Sequence, residues 1–349
     1  MTFGAELQGW YQQHKRDLPW RETRDAYKIW LSEIILQQTR VEQGLPYYLR
    51  FVERFETVVD FANAEEDDIL HLWQGLGYYS RGRNMHKAAR IVRDEYNGIF
   101  PVDYKTLLKL PGIGEYTAAA ISSFANNEAQ AVLDGNVFRV LSRYFGIDTA
   151  INSTEGKKIF TAIAQENLDQ DYPALYNQAI MDFGAIHCKP KQPLCITCMF
   201  NTSCYAVLQG DVDRLPVKLK AKASKDRYFN YFILKYEAQI LMSKRGEGDV
   251  WQNLYEFPLI ESDRTLTIPE LLGDEEFVRY FGGNVEIKLL QKQTKHILSH
   301  QNIYATFFEV RLEGGLNQKK SNWDYVFLKD LDKLAKHKLI FTFLERSNF

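Results

Sequence analysis

The four cysteines of this chain all fall within one short stretch, as Cys188-x6-Cys195-x2-Cys198-x5-Cys204. In 349 residues they are too few and too crowded for a secreted disulfide framework. Four thiolates at these spacings can close around a tetrahedral metal or an iron-sulfur cube. A zinc ribbon offers two short Cys pairs, and only Cys195 and Cys198 form one here, which favours a cluster over zinc. Four unrelated buried thiols are the plain alternative. A cluster would pin its loop and hold Lys189 and Lys191 out towards phosphates.

The length suits two domains. Lys plus Arg number 43 against 45 Asp plus Glu, a net charge of −2, so no bulk polycation is present and any nucleic-acid face is local. No apolar run approaches the ~18 residues of a membrane span, and the first twenty residues lack a secretory core. These features predict a cytoplasmic protein with no membrane partner. Residues 1–210 read as helices over 26–51, 67–76, 80–97, 117–124, 136–145 and 154–168, broken at Pro101, Pro111-Gly112-Ile113-Gly114, Asp134-Gly135-Asn136 and Pro173. Residues 211–227 form a basic, solvated linker. From residue 228 to 349 the period changes to two, with Phe229, Tyr231 and Ile233 alternating, then Ala305, Phe307 and Glu309, so the second domain is α+β.

Leu110-Pro111-Gly112-Ile113-Gly114 precedes a helix-forming run. Its glycines let backbone N–H groups approach a phosphate at a helix start; a plain helix-helix turn is the alternative. Two carboxylates stand out. Glu33 shares a helical stripe with Ile29 and Leu36, so its pKa should rise. Asp134 opens a turn into a helix, where backbone N–H groups should lower its pKa, although a simple helix cap would look the same. One acid and one carboxylate together suit cleavage of an N-glycosidic bond.

These residues resemble the MutY-type adenine DNA glycosylases of the helix-hairpin-helix superfamily. The matching segments are Leu18-Pro19-Trp20-Arg21, Trp30 to Thr39, Gly75 to Arg81, Leu110 to Gly114, Leu133 to Val137 and the cysteine quartet. The resemblance implies an all-α helix-hairpin-helix glycosylase domain with a 4Fe-4S loop on Cys188, Cys195, Cys198 and Cys204, followed by a Nudix-like α+β domain. It further implies that Glu33 protonates adenine, that Asp134 stabilises or captures the sugar cation, and that Tyr116 and Asn136 position Asp134. Trp20, Arg21 and Asp182 would line the pocket for the flipped base, with Gly112 and Gly114 on phosphates. Gln38, Thr39, Leu76 and Tyr78 would sit at the lesion, Tyr78 as a wedge; a helix-core aromatic pair is the alternative for Tyr78 and Tyr79. Arg81 and Arg83 are further candidates for phosphate contacts. The implied partner is double-stranded DNA containing adenine opposite 8-oxoguanine or guanine.

Val250 to Pro258 resembles the Nudix-like lesion-reading domain, without the downstream glutamate-rich helix that holds magnesium in Nudix hydrolases. Leu298-Ser299-His300 stands where the family has Phe-Ser-His, so Ser299 and His300 are candidate lesion contacts; an ordinary turn histidine is the alternative. Endonuclease III-like lyases carry a lysine where Tyr116 stands, and a phenol cannot form an imine. A lyase of that type and a non-catalytic, redox-sensing DNA-binding protein are the rival readings.

Overall fold

The computed structural model describes residues 2–220 and 224–346; part of the expected linker, residues 221–223, lies outside them. Two compact units emerge. One comprises the chain to Asn63 with Asn84–Lys220, the other Ala64–Arg83 with the residues from Ser224 onward.

Residues 64–83 therefore group with the second unit, where the sequence placed them in the first domain. Lys244 Nζ meets the Asp67 carboxylate at 2.8 Å, Tyr79 donates to the Lys336 carbonyl at 3.0 Å and Arg83 to the Gln252 carbonyl at 2.9 Å. The basic run is likewise no free linker along its whole length. Leu215 is buried and its carbonyl accepts from Arg143, the Val217 carbonyl accepts from the Ile151 amide, and Lys225 to Arg227 already belong to a strand.

The first unit is helical. Its central helix, Ala26–Ile35, starts where the Asp25 side chain accepts from the Tyr27 amide, and all its residues except Lys28 are buried. The continuous helix expected over 26–51 is instead two, Ala26–Ile35 and Val41–Arg54. Between them Gln38 takes a left-handed φ of +55°, which an α-helix cannot continue through. Helix Phe3–His14 packs on helix Pro173–Asp182, where Pro173 begins a helix rather than breaking one. A fixed φ and a missing N–H suit proline to that first turn. Phe3, Leu7, Tyr176, Ile180 and Phe183 join Val137, Val140 and Leu141 of helix Gly135–Phe145 in one core.

Among the described residues the second unit has eight strands: β1 (Lys225–Ile233), β2 (Lys235–Tyr236), β3 (Gln239–Lys244), β4 (Tyr255–Glu256), β5 (Leu259–Ser262), β6 (Val285–Ile297), β7 (Gln301–Leu312) and β8 (Trp323–Phe327). One sheet runs β5-β1-β7-β6 with β1 and β7 parallel; in the other, β3 pairs with β2, β4 and β8. The alternation seen in the sequence separates two cores rather than core from solvent. Phe229, Tyr231, Ile233, Ala305 and Phe307 meet Leu339, Ile340 and Phe343 of helix Lys338–Arg346. Phe232, Phe308 and Val310 point the other way, onto Leu271, Phe277 and Phe281. Among the described residues no helix is long and apolar enough to cross a membrane.

Candidate active site

Glu33 is 7% exposed in the last turn of helix Ala26–Ile35. Its Oε2 accepts a hydrogen bond from the Tyr116 hydroxyl at 2.7 Å. Burial pushes the Glu33 carboxyl up to about 7; the nearby Asp134 charge adds to the rise, while Tyr116 and Arg21 oppose it. Tyr116, held well above the usual tyrosine range by the same burial, stays a donor. It bonds Glu33 and not Asp134, which corrects the role expected for it. The side chain extends from the first turn of helix Glu115–Asn126, and that helix packs against the Glu33 helix.

Asp134 caps helix Gly135–Phe145. Its carboxylate accepts from the Asn136 amide at 2.8 Å, the Val137 amide at 2.7 Å and the Asn136 side chain at 2.8 Å. Even so, burial at the cavity floor carries the Asp134 carboxyl above the ordinary aspartate value, against the pull of these donors and of Arg139. The fall expected from the capping donors is reversed, because the depth of the site outweighs them. The two acids still differ in kind. Three N–H donors favour the ionised form of Asp134, and Glu33 has a single phenol.

Both line a cavity of about 630 Å³, together with Trp20, Arg21, Gln38, Thr39, Tyr116 and Asn136. That volume is within the ~300–1,000 Å³ of small-molecule sites. Asp182 does not line it. Its side chain is fully buried behind the wall and binds Arg16 and Arg21. Burial alone would raise this acid, yet the two guanidiniums hold it below the ordinary range. The sequence reading missed Arg16, Gln178 and Met181, which also line the cavity, and nothing local marks them.

It also missed Arg139, which ties the acid site to the cysteine loop. Its guanidinium donates to Asn136 Oδ1 at 2.9 Å, the Gly184 carbonyl at 2.6 Å and the Cys188 carbonyl at 2.8 Å. One turn on, Arg143 holds the Lys189 carbonyl at 2.8 Å and approaches Cys188 Sγ at 3.4 Å. Gly184 is required here, since a Cβ would stand 2.7 Å from Asn136 Cβ. Cys188, Cys195, Cys198 and Cys204 all line one small apolar cavity of about 30 Å³, and burial pushes the Cys198 thiol up to about 11. Among the described residues no three His, Cys, Asp or Glu are grouped to hold a single metal ion. Lys191 is exposed and Lys189 partly so.

In the hairpin, Gly112 has a φ of +80° and a Cβ there would meet Asn84 at 2.8 Å, so packing within the protein demands this glycine. Gly114 caps helix Glu115–Asn126, and a Cβ would find open space.

In the second unit Tyr78 is 46% exposed with a φ of +47°, but Leu76 is only 7% exposed and belongs to the interior. Arg81 lies over the Trp73 and Tyr78 rings, and Arg83 is taken up by the Gln252 carbonyl. Both make contacts within the protein while staying partly exposed. Ser299 and His300 are exposed at the turn between β6 and β7, while Leu298 packs on the sheet core.

Comparison with known proteins agrees with this architecture. Residues 31–166 match the HhH-GPD superfamily of base excision DNA repair proteins, and residues 230–346 match the NUDIX domain. The chain is similar to an adenine DNA glycosylase of Buchnera aphidicola subsp. Baizongia pistaciae, 34% identical over 310 residues, covering 87% of this chain and 84% of that protein. The Homo sapiens adenine DNA glycosylase is 40% identical over 234 residues, 64% of this chain and 43% of that one. Among solved structures, a thermostable thymine-DNA glycosylase is 30% identical with a TM-score of 0.56, over 59% of this chain and 95% of that chain. An endonuclease III trapped on DNA shares the fold at 21% identity and a TM-score of 0.52, over 59% of this chain and 94% of that one. Similarity along most of both chains to the first of these, with both domain matches in the same order, places the chain in the family of MutY-type adenine DNA glycosylases, DNA N-glycosylases of base excision repair.

Proposed function

We propose that the chain excises adenine paired with 8-oxoguanine or guanine by acid-assisted cleavage of the N-glycosidic bond, without cutting the strand. One observation carries this reading: Glu33, buried and hydrogen-bonded to Tyr116, shares with Asp134 a cavity of about 630 Å³, roomy enough for a purine. Glu33 gives its proton to the extruded base, the C1′–N bond breaks with its electron pair going to the base, and the sugar becomes cation-like. The Tyr116 bond occupies Oε2 and leaves Oε1 for the base. Asp134, held by the amides of the helix start, faces the developing positive charge, and water then adds at C1′, giving its proton back to the Glu33 carboxylate. The cavity lining contains Tyr116 and no lysine among the described residues, so no imine with the sugar forms there. Trp20 and Arg21 contribute to the wall that receives the base. Gly114, Lys189 and Lys191 meet the backbone, and Gln38, Thr39, Tyr78, Ser299 and His300 read the mispair.

The cysteine loop suits a 4Fe-4S cluster on Cys188, Cys195, Cys198 and Cys204. Four thiols face one apolar cavity, and Arg143 stands 3.4 Å from Cys188 Sγ. When bound, the cluster supplies a covalent tie between the ends of the loop. Arg139 and Arg143 fix the loop carbonyls on the helix that carries Asp134. The protein acts as a monomer on nucleoid DNA in the cytoplasm.

The test is incubation with duplexes holding adenine opposite 8-oxoguanine, adenine opposite guanine, or thymine glycol, with half of each sample then treated with alkali. Free adenine from the first two and strand breaks only after alkali are expected. Breaks without alkali, or turnover of thymine glycol, would overturn the reading.

A further inference from the structure

Asp182 was expected in the cavity wall and stands behind it. Its fully buried carboxylate receives both terminal nitrogens of Arg21 at 2.5 Å, and Arg16 Nε and Nη2 at 2.9 and 2.6 Å. Arg21 Nη1 also donates to the Arg16 carbonyl at 3.2 Å, and its guanidinium lies 5.7 Å over the Tyr11 ring. Arg21 is thus held from three sides at the edge of the cavity. Two cations against one anion leave a net positive charge in the wall. A buried ion triad is weak evidence of a stabilising role, because apolar replacements are often as stable. Its position beside a buried acid suggests another use.

The charged and titratable groups that face Glu33 are few. Arg21 comes from the turn Pro19–Arg21, Tyr116 from helix Glu115–Asn126 and Asp134 from the start of helix Gly135–Phe145. Arg16, Arg40 and Glu42 line the rest of the same cavity. Among them Arg21 is the cation that draws Glu33 towards ionisation.

We propose that Asp182 is a positioning residue which fixes Arg21 and offsets part of its charge, and so sets the pH range over which Glu33 keeps its proton. The inference rests on Glu33 being the acid of the reaction. With Asp182 neutralised, the uncovered guanidinium favours the Glu33 carboxylate and the acid is lost at lower pH. With Arg21 removed, the carboxylate is disfavoured and the acid survives to higher pH.

Single-turnover adenine release from a duplex with adenine opposite 8-oxoguanine, followed from pH 5 to 9, tests this on the full chain. Wild-type activity falls as pH rises and Glu33 ionises. D182N should move that fall down by about one pH unit, and R21Q should move it up by a similar amount. R21K should restore the wild-type position. Opposite displacements are the signature. A clamp that only supports the fold lowers the rate at every pH and leaves the fall in place; that result, or movement of both variants in one direction, would overturn the proposal. Should D182N fail to fold, R16Q takes its place: Asp182 then serves Arg21 alone, the wall loses a positive charge, and the fall moves up. An R16Q profile superimposable on wild type would also overturn it. E33Q separates the two levels of argument. Equal turnover by E33Q and wild type removes the acid assignment and this proposal with it, whereas an inactive E33Q beside unmoved profiles removes the clamp alone.

Discussion

Two buried glutamates, one in each unit, accept a hydrogen bond from a tyrosine, half-buried Tyr116 in the first and fully buried Tyr231 in the second. Glu33 takes the Tyr116 hydroxyl at 2.7 Å, and Glu256 takes that of Tyr231 at 2.9 Å. Their remaining partners differ. Glu256 also receives Arg245 Nη1 at 2.8 and 3.0 Å, with His337 Nε2 at 3.3 Å, so a guanidinium is in direct contact with its carboxyl. Among the described residues Glu33 has no cation in hydrogen-bond contact, and its cavity wall offers Arg21 only from a position held by Asp182. The same pair of side chains is a structural joint when a guanidinium touches it and, on the proposed reading, a proton donor when none does.

The largest expected effect separates the two outright. E33Q should lose adenine release by about 10²–10⁴-fold, the usual worth of general acid help, while still binding the mispaired duplex in a gel-shift titration. E256Q should keep its turnover per folded molecule and instead unfold more easily by about 3–5 kcal/mol in denaturant melts, because Arg245 is left buried with less compensation. Loss of turnover by E256Q at unchanged stability would erase the contrast. D134N should cost about 10²–10³-fold in single-turnover rate, as removal of an electrostatic stabiliser does.

The burial that raises Glu33 should cost stability at high pH. Its folded-state pKa is raised from 4.5 to about 7, so ionisation opposes folding above that value and has no effect below the unfolded one. E33Q should therefore be more stable than wild type at pH 8, on the order of 3 kcal/mol, and no more stable at pH 4. Urea melts at the two pH values decide this. Removing either hydroxyl sharpens the comparison further. Y231F should cost about 1 kcal/mol of stability, whereas Y116F, which removes a bond favouring ionised Glu33, should shift the fall in activity to higher pH. The smallest effect belongs to the exposed reading turn: H300A should weaken discrimination between 8-oxoguanine and guanine by about 1 kcal/mol in competition binding, with the rate on bound duplex unchanged.

What the sequence revealed, and what it hid, follows from the range of the interactions. The apolar run around Glu33 announced its burial, and Asp134-Gly135-Asn136 announced a cap, because both signals are local. The direction of the Asp134 shift was hidden, since segments far along the chain make the depth of the cavity. Tyr116 and Glu33 are 83 positions apart, and Arg16 and Asp182 166 apart; no spacing rule joins them. Leu76, Arg81 and Arg83 read as surface candidates until residues 64–83 were found packed with the second unit. Period-two strands showed that a sheet follows residue 228 but not that helices cover both its faces.

Gln38 and Tyr78, both proposed to read the mispair, hold left-handed backbone angles, +55° and +47°. Such a residue costs of order 1–3 kcal/mol in conformational energy, a penalty that folding has already met before any duplex arrives. Association then need not bend these segments into shape, so encounter should be followed by little ordering of the reading surface. Glycine at either place would relax the main chain and, by the same token, surrender this readiness.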